Sequence, residues 1–169
     1  MRGLVAAVVT PMNEKGDLNL NLVPKVVDYL ATKGITGIYI AGSTGEGMSL
    51  TDEERREVAE AYVFAAKGRM KSFVQVGHNS LKASADLAGH AEAIGADAVS
   101  ATPTGYFKAS SEAELVEGLL PIAEAAPKTP FYYYHIPFLS GVNLDPIKLT
   151  DISMDRLPTF CGIKYSDGA

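Results

Sequence analysis

A single cysteine, Cys161, leaves the chain without an intramolecular disulfide, and three histidines provide neither a CxxC nor an HExxH spacing for zinc. No metal site is expected. Long apolar runs are also lacking: none approaches the ~20 residues needed to span a bilayer, and the N-terminus has no charged, apolar and small-residue segments in series. The chain reads as cytoplasmic, without membrane contact. Positive charge is sparse and scattered. The tight pair Arg55 and Arg56 follows Asp52, Glu53 and Glu54 and reads as part of a solvated helix face. With 15 Lys and Arg against 20 Asp and Glu, the net charge of -5 repels a phosphate backbone, which excludes nucleic acid as a partner.

What is present suits one globular domain spanning 1–169: 169 residues, 47% hydrophobic, suffice for one buried core. Short β-branched or aromatic runs alternate with longer stretches of helical period. Strands are expected at Leu4–Val9, Ile35–Ile40, Ser72–Gly77, Ala98–Ala101, Pro130–His135 and Phe160–Lys164. Helices are expected near 20–32, 52–67, 80–94, 111–126 and 145–153. Thr51 with Glu54 forms a capping box, Ser80 is an N-cap, and Gly34 and Gly95 suit the left-handed position after a helix. Strict alternation implies an α/β fold of parallel strands, either an open doubly wound sheet or a (β/α)8 barrel. Both architectures gather their chemistry at the C-terminal ends of the strands.

Three candidates stand at such ends. Gly42-Ser43-Thr44-Gly45-Glu46 follows the second strand; its glycines are expected to let backbone amides converge, and its hydroxyls add donors for a carboxylate or phosphate. The plainer reading is a tight strand-to-helix turn in which glycine supplies the unusual dihedrals and Ser43 or Thr44 caps the next helix, and the missing GK[ST] ending argues against ATP or GTP. Phe131-Tyr132-Tyr133-Tyr134-His135-Ile136-Pro137 ends the fifth strand. Alternation puts Tyr132 and Tyr134 on one face, with Tyr133 and His135 on the other. Tyr134 then stands at the rim, where it can move a proton or simply pack, while His135 reads as a hydrogen-bonded structural histidine. Lys164 ends the sixth strand on the same face as Gly162, opposite Cys161 and Ile163. A strand-end lysine commonly snorkels to water, but burial in apolar surroundings favours an amine's neutral, nucleophilic form. His78, Asn79, Tyr106 and Phe107 are further loop candidates, and Cys161 is expected to pack as a small apolar residue under a helix. An anion loop, a rim tyrosine and a rim lysine together describe a Schiff-base aldolase acting on an α-keto acid.

GSTGE, Tyr-x-x-Pro and Gly-Ile-Lys resemble the pyruvate-dependent aldolase family that includes N-acetylneuraminate lyase and dihydrodipicolinate synthase, and the resemblance runs from Gly3 to Ala169. Leu139 and Ser140 stand where the synthases carry arginine and threonine, so YYYHIPFLSGV is similar to the lyase branch. The resemblance implies a TIM barrel and cleavage of N-acetylneuraminate (sialic acid) to N-acetylmannosamine and pyruvate. Lys164 would form the Schiff base and Tyr134 would relay the proton. Ser43 and Thr44 would hold the substrate carboxylate, and Ser166 would touch the polyol. It also implies a homotetramer, with no metal or cofactor. A dihydrodipicolinate synthase, a keto-deoxy sugar acid aldolase, or an impaired fragment binding full-length subunits are the alternatives.

Two departures stand out. Where many members carry a tyrosine reaching a neighbouring subunit's site, this chain has Gly105, with Tyr106 one residue later. A complete barrel takes ~250 residues. The chain ends just after the sixth strand, so a barrel lacking strands seven and eight, with impaired or no turnover, is expected.

Overall fold

The computed structural model describes residues 2–167; Gly168 and Ala169, on which the expected chain end falls, lie outside the described residues. Backbone contacts divide the chain into two compact units.

The first unit runs to Gln75 and takes in Ala93–Asp97. It contains β1 (Val5–Ala7), a 3-10 turn (Leu20–Leu22), α1 (Val23–Thr32), β2 (Gly37–Ile40), α2 (Asp52–Ala66) and β3 (Lys71–Gln75). The strands are parallel in the order β1-β2-β3. α1 opens with Pro24 in its first turn, where a missing N–H costs nothing, and is stopped by Gly34 at φ +72°, whose N–H donates to the Ala31 carbonyl. α2 opens on the expected capping box: the Glu54 amide donates to Thr51 Oγ1 and the Thr51 amide to Glu54 Oε2. All four residues of β2 are buried, as befits a parallel strand covered on both faces. Val23, Val27, Ile38, Ile40, Val58, Tyr62 and Val74 form the core, each large apolar side chain contributing about 1.5–3 kcal/mol. The Tyr62 hydroxyl donates to the Val9 carbonyl at 2.7 Å.

The second unit comprises Val76–Glu92 and the chain from Ala98 onward. Most of α3 (Leu81–Ala93) belongs to it, with β4 (Ala98–Ala101), α4 (Glu112–Glu124), β5 (Phe131–His135), α5 (Pro137–Ser140), α6 (Pro146–Arg156) and β6 (Phe160–Tyr165). β4, β5 and β6 are parallel in that order. Its core holds Leu87, Val99, Leu115, Leu119, Ile122, Phe131, Tyr133 and Leu149. Ser80 Oγ accepts from the Ala83 amide, and Gly95 adopts φ +83°, both as expected.

Three expectations need correction. Arg55 does not lie on a solvated face: it is 2% exposed, at the head of the stripe that continues through Val58, Ala59, Tyr62 and Ala66. Helical spacing, which puts positions 55, 58, 59 and 62 on one side, overrides the surrounding charge run. Cys161 is exposed rather than packed under a helix. Alternation sets which way a strand residue points, but burial needs a covering element, and none among the described residues covers this position. The short helix α5 was also not anticipated: Pro137, read as the end of a strand, sits in its first turn, where a fixed φ and absent N–H are favourable.

Candidate active site

In the second unit, β5 and β6 pair with Tyr134 opposite Lys164 and His135 opposite Tyr165. Neighbouring residues in parallel register project to the same side, so Tyr134 and Lys164 share a face. The Lys164 ammonium nitrogen lies 3.4 Å from the Tyr134 ring centroid. Tyr134 is buried and Lys164 half-buried. Upstream, the ladder shifts register between Phe131 and Tyr132, and Tyr132 pairs with Gly162, whose φ of +149° favours glycine. A Cβ on Gly162 would meet the Tyr132 ring at 3.5 Å, which is ordinary contact, so the backbone angle explains this glycine better than space does. Ser166 follows directly: its amide donates to the His135 carbonyl at 2.9 Å, extending the ladder one residue past the strand. Lys164, Tyr134 and Ser166 are thereby brought together at one end of one strand pair.

The opposite face of β5 is structural. Tyr133 is fully buried, and its phenol is pushed up to about 12 by burial. His135 is 2% exposed and stacks on Tyr165, with ring centroids 5.1 Å apart. Its Nδ1 has no hydrogen-bond partner among the described residues, so the hydrogen bond expected of this histidine is not made at that nitrogen. Burial lowers the His135 pKa from its ordinary value, and the Asp167 charge opposes this.

In the first unit, the GSTGE loop lies between β2 and α2, with Ser43 and Thr44 exposed. The expectation that its glycines provide the unusual dihedrals needs correction. The left-handed residues are Ala41 and Glu46, both at φ +53°, whereas the glycines allow close approach. A Cβ on Gly45 would stand 2.9 Å from the Val8 carbonyl oxygen, and one on Gly47 would stand 1.9 Å from that of Ala41. Thr10 Oγ1 fixes the loop by donating to the Gly45 carbonyl at 2.6 Å. The amides of Glu46 and Gly47 donate within the loop, to the carbonyls of Ser43 and Gly42. Ser43 and Thr44 are thus carried outward on a backbone that closes on itself.

With Thr104, Phe107 and Leu119, His78 and Asn79 line a cavity of about 420 Å³ within the second unit. Asn79 Oδ1 accepts from the amides of Gly105 and Tyr106, so this side chain shapes the loop after β4. Tyr106 and Phe107 are about four-fifths exposed and pack edge to face on one another. Among the described residues, no cluster of three or more His, Cys, Asp or Glu could hold a metal, and no helix is long and apolar enough to cross a membrane.

Sequence reading missed the support beneath the GSTGE loop. Arg55 Nη2 donates to the backbone carbonyl and the side-chain Oε1 of Gln75, at 2.9 and 2.6 Å. The signal was available in the i, i+3, i+4, i+7 spacing that sets Arg55 on the apolar stripe of α2.

The dihydrodipicolinate synthetase family matches residues 1–169. N-acetylneuraminate lyase of Rattus norvegicus is 44% identical over 99% of this chain and 53% of its own length. The solved N-acetylneuraminate lyase of Aliivibrio salmonicida superposes with a TM-score of 0.96 at 36% identity, over 99% of this chain and 56% of that one. A catalytic lysine mutant of Ruminococcus gnavus sialic acid aldolase superposes at 0.90 with 32% identity, over 99% and 54%. The chain spans about half the length of the curated relatives it matches. These matches carry the α/β-barrel fold class expected from the resemblance, and they show that the chain belongs to the dihydrodipicolinate synthetase family.

Proposed function

We propose that this chain carries the pyruvate-handling chemistry of a class I aldolase that cleaves N-acetylneuraminate to N-acetylmannosamine and pyruvate. The observation that supports it most directly is Lys164 lying against Tyr134 on paired positions of β5 and β6. In this reading the Lys164 amine attacks the keto carbon of the open-chain sugar acid and the carbonyl oxygen leaves as water. The resulting iminium accepts the electron pair of the breaking carbon–carbon bond. Tyr134, helped by the substrate carboxylate, takes the proton from the substrate hydroxyl as N-acetylmannosamine departs as the aldehyde. The enamine left behind is protonated on carbon and hydrolysed, which releases pyruvate and restores Lys164. Ser43 and Thr44 hold the carboxylate, and Ser166 contacts the polyol. The iminium is itself the electron sink, so the proposed steps need neither metal nor cofactor. Tyr106 has no assigned part, because it stands one residue beyond the family's usual tyrosine.

The lyase reading is preferred to the synthase reading because two solved N-acetylneuraminate lyases are 34 and 36% identical, whereas solved dihydrodipicolinate synthases are 25–30% identical. A cytoplasmic homotetramer belongs to the same proposal, on the strength of the family resemblance. Borohydride reduction in the presence of pyruvate, followed by peptide mass analysis, tests the central step. An adduct confined to Lys164 is expected; a folded sample without one would overturn the Schiff-base assignment.

A further inference from the structure

Three buried residues beneath the GSTGE loop have no role in the reaction just proposed: Tyr39, Arg55 and Gln75 are 4%, 2% and 3% exposed. Burying a guanidinium costs several kcal/mol unless hydrogen bonds and neighbouring charge compensate it. Arg55 Nη2 meets part of that cost with its two bonds to Gln75, which tie the first turn of α2 to the last residue of β3. Burial pulls Arg55 down to about 10, with Asp52 and Tyr39 acting electrostatically against it, so the group remains cationic at neutral pH. Tyr39 supplies the second link. Its ring atoms lie 2.7 and 2.8 Å from where a Cβ on Gly42 would stand, so the first residue of GSTGE sits directly on the ring.

From this geometry we infer that Arg55 is a positioning residue for the carboxylate-binding loop. Its side chain ties the first turn of α2 to the end of β3, close to the Tyr39 ring on which Gly42 sits, and it sets a buried positive charge near a loop that receives an anion. A charge in low dielectric acts over a longer distance than one in water, so the guanidinium favours an anionic ligand without touching it. The inference rests on the aldolase reading, which assigns that loop to the substrate carboxylate.

The test compares two ketones in borohydride trapping at Lys164: pyruvate, and acetone, which lacks the carboxylate. Reaction is measured in the full chain for the parent protein, Arg55→Lys and Arg55→Gln, each normalised to its folded fraction by circular dichroism. The preference for pyruvate over acetone is expected to fall roughly tenfold or more in Arg55→Gln, with Arg55→Lys in between because the charge is retained. An unchanged preference, or an equal loss with both ketones, would overturn the inference. Should both Arg55 variants fail to fold, Gly42→Ala carries the test, since its Cβ lifts the loop from Tyr39 while Arg55 stays in place. It must lower the same preference, and an unaltered preference there overturns the inference as well. Absence of a Lys164 adduct in the parent protein would instead defeat the aldolase reading itself.

Discussion

Lys164 and Tyr134 meet amine to ring, with the nitrogen 3.4 Å from the ring centroid. A cation over an aromatic face is attracted by about 0.5–2 kcal/mol, so the resting lysine is held at a defined place on the strand end. Lys164→Arg keeps the charge and loses the nucleophile. No pyruvate adduct is expected from it, while its thermal midpoint stays close to that of the parent chain. Tyr134→Phe keeps the ring beneath the amine and removes the proton relay. Adduct formation is expected to persist, and any cleavage of N-acetylneuraminate, read by pyruvate release, to fall about 10²–10⁴-fold.

Two glycines should respond to alanine in opposite directions. At Gly47 a methyl would stand 1.9 Å from the Ala41 carbonyl oxygen, so the loop must move as a whole. Gly47→Ala is expected to cost more than about 2 kcal/mol. Gly118 lies inside α4 with nothing within 4 Å of an added Cβ. Gly118→Ala is expected to stabilise by roughly 0.5–1 kcal/mol through lower unfolded-state entropy. Urea denaturation of both variants checks the pair.

Asp97 joins α3's end to the start of β3. Burial works to raise its carboxyl pKa, but the Lys71 ammonium at 2.6 Å and the Ser72 amide at 3.0 Å outweigh it and hold the group below its ordinary value. A depressed folded pKa stabilises the native state above the unfolded value of 3.8, and that increment is lost as pH falls through the folded pKa. Asp97→Asn is expected to cost about 1 kcal/mol at pH 7 and progressively less in acid, as read from urea midpoints across pH.

His135 has the same sign as Asp97 but acts in a higher pH window. Burial lowers its folded pKa below the ordinary 6.5, with Asp167 opposing, so the unfolded chain takes up a proton more readily than the native one. The contribution is neutral above 6.5, and stability falls from there toward the folded pKa as pH drops. His135→Phe keeps an aromatic partner for Tyr165 and is expected to flatten the thermal-midpoint profile below pH 6.5. An unchanged profile would show that another group governs this window.

Legibility in the sequence followed the range of the determining interactions. The Thr51–Glu54 box, the Ser80 cap and the left-handed Gly34 are set by residues a few positions apart, and each stands where local chemistry put it. Which residues share a face within β5 and within β6 followed from strand alternation, whereas the pairing of Tyr134 with Lys164 is set by the register between the two strands. Arg55 and Cys161 were misread because burial is decided by what arrives from elsewhere in the chain. Gln75 captures the guanidinium, and no described element covers the cysteine. The GSTGE loop was read with the right location and the wrong reason: its glycines yield space to Val8 and Ala41, and the left-handed turns fall on Ala41 and Glu46.

Within each unit, every strand pairs with the strand next to it in the chain, about thirty residues away. Loop-closure entropy is then nearly the same for each pairing, and no strand must wait for a partner from the far end of the sequence. A chain emerging from the ribosome can add one strand and one helix at a time, each new pair burying its apolar face as it forms. β6 follows β5 in the chain, so Tyr134 is synthesised before the lysine that pairs opposite it.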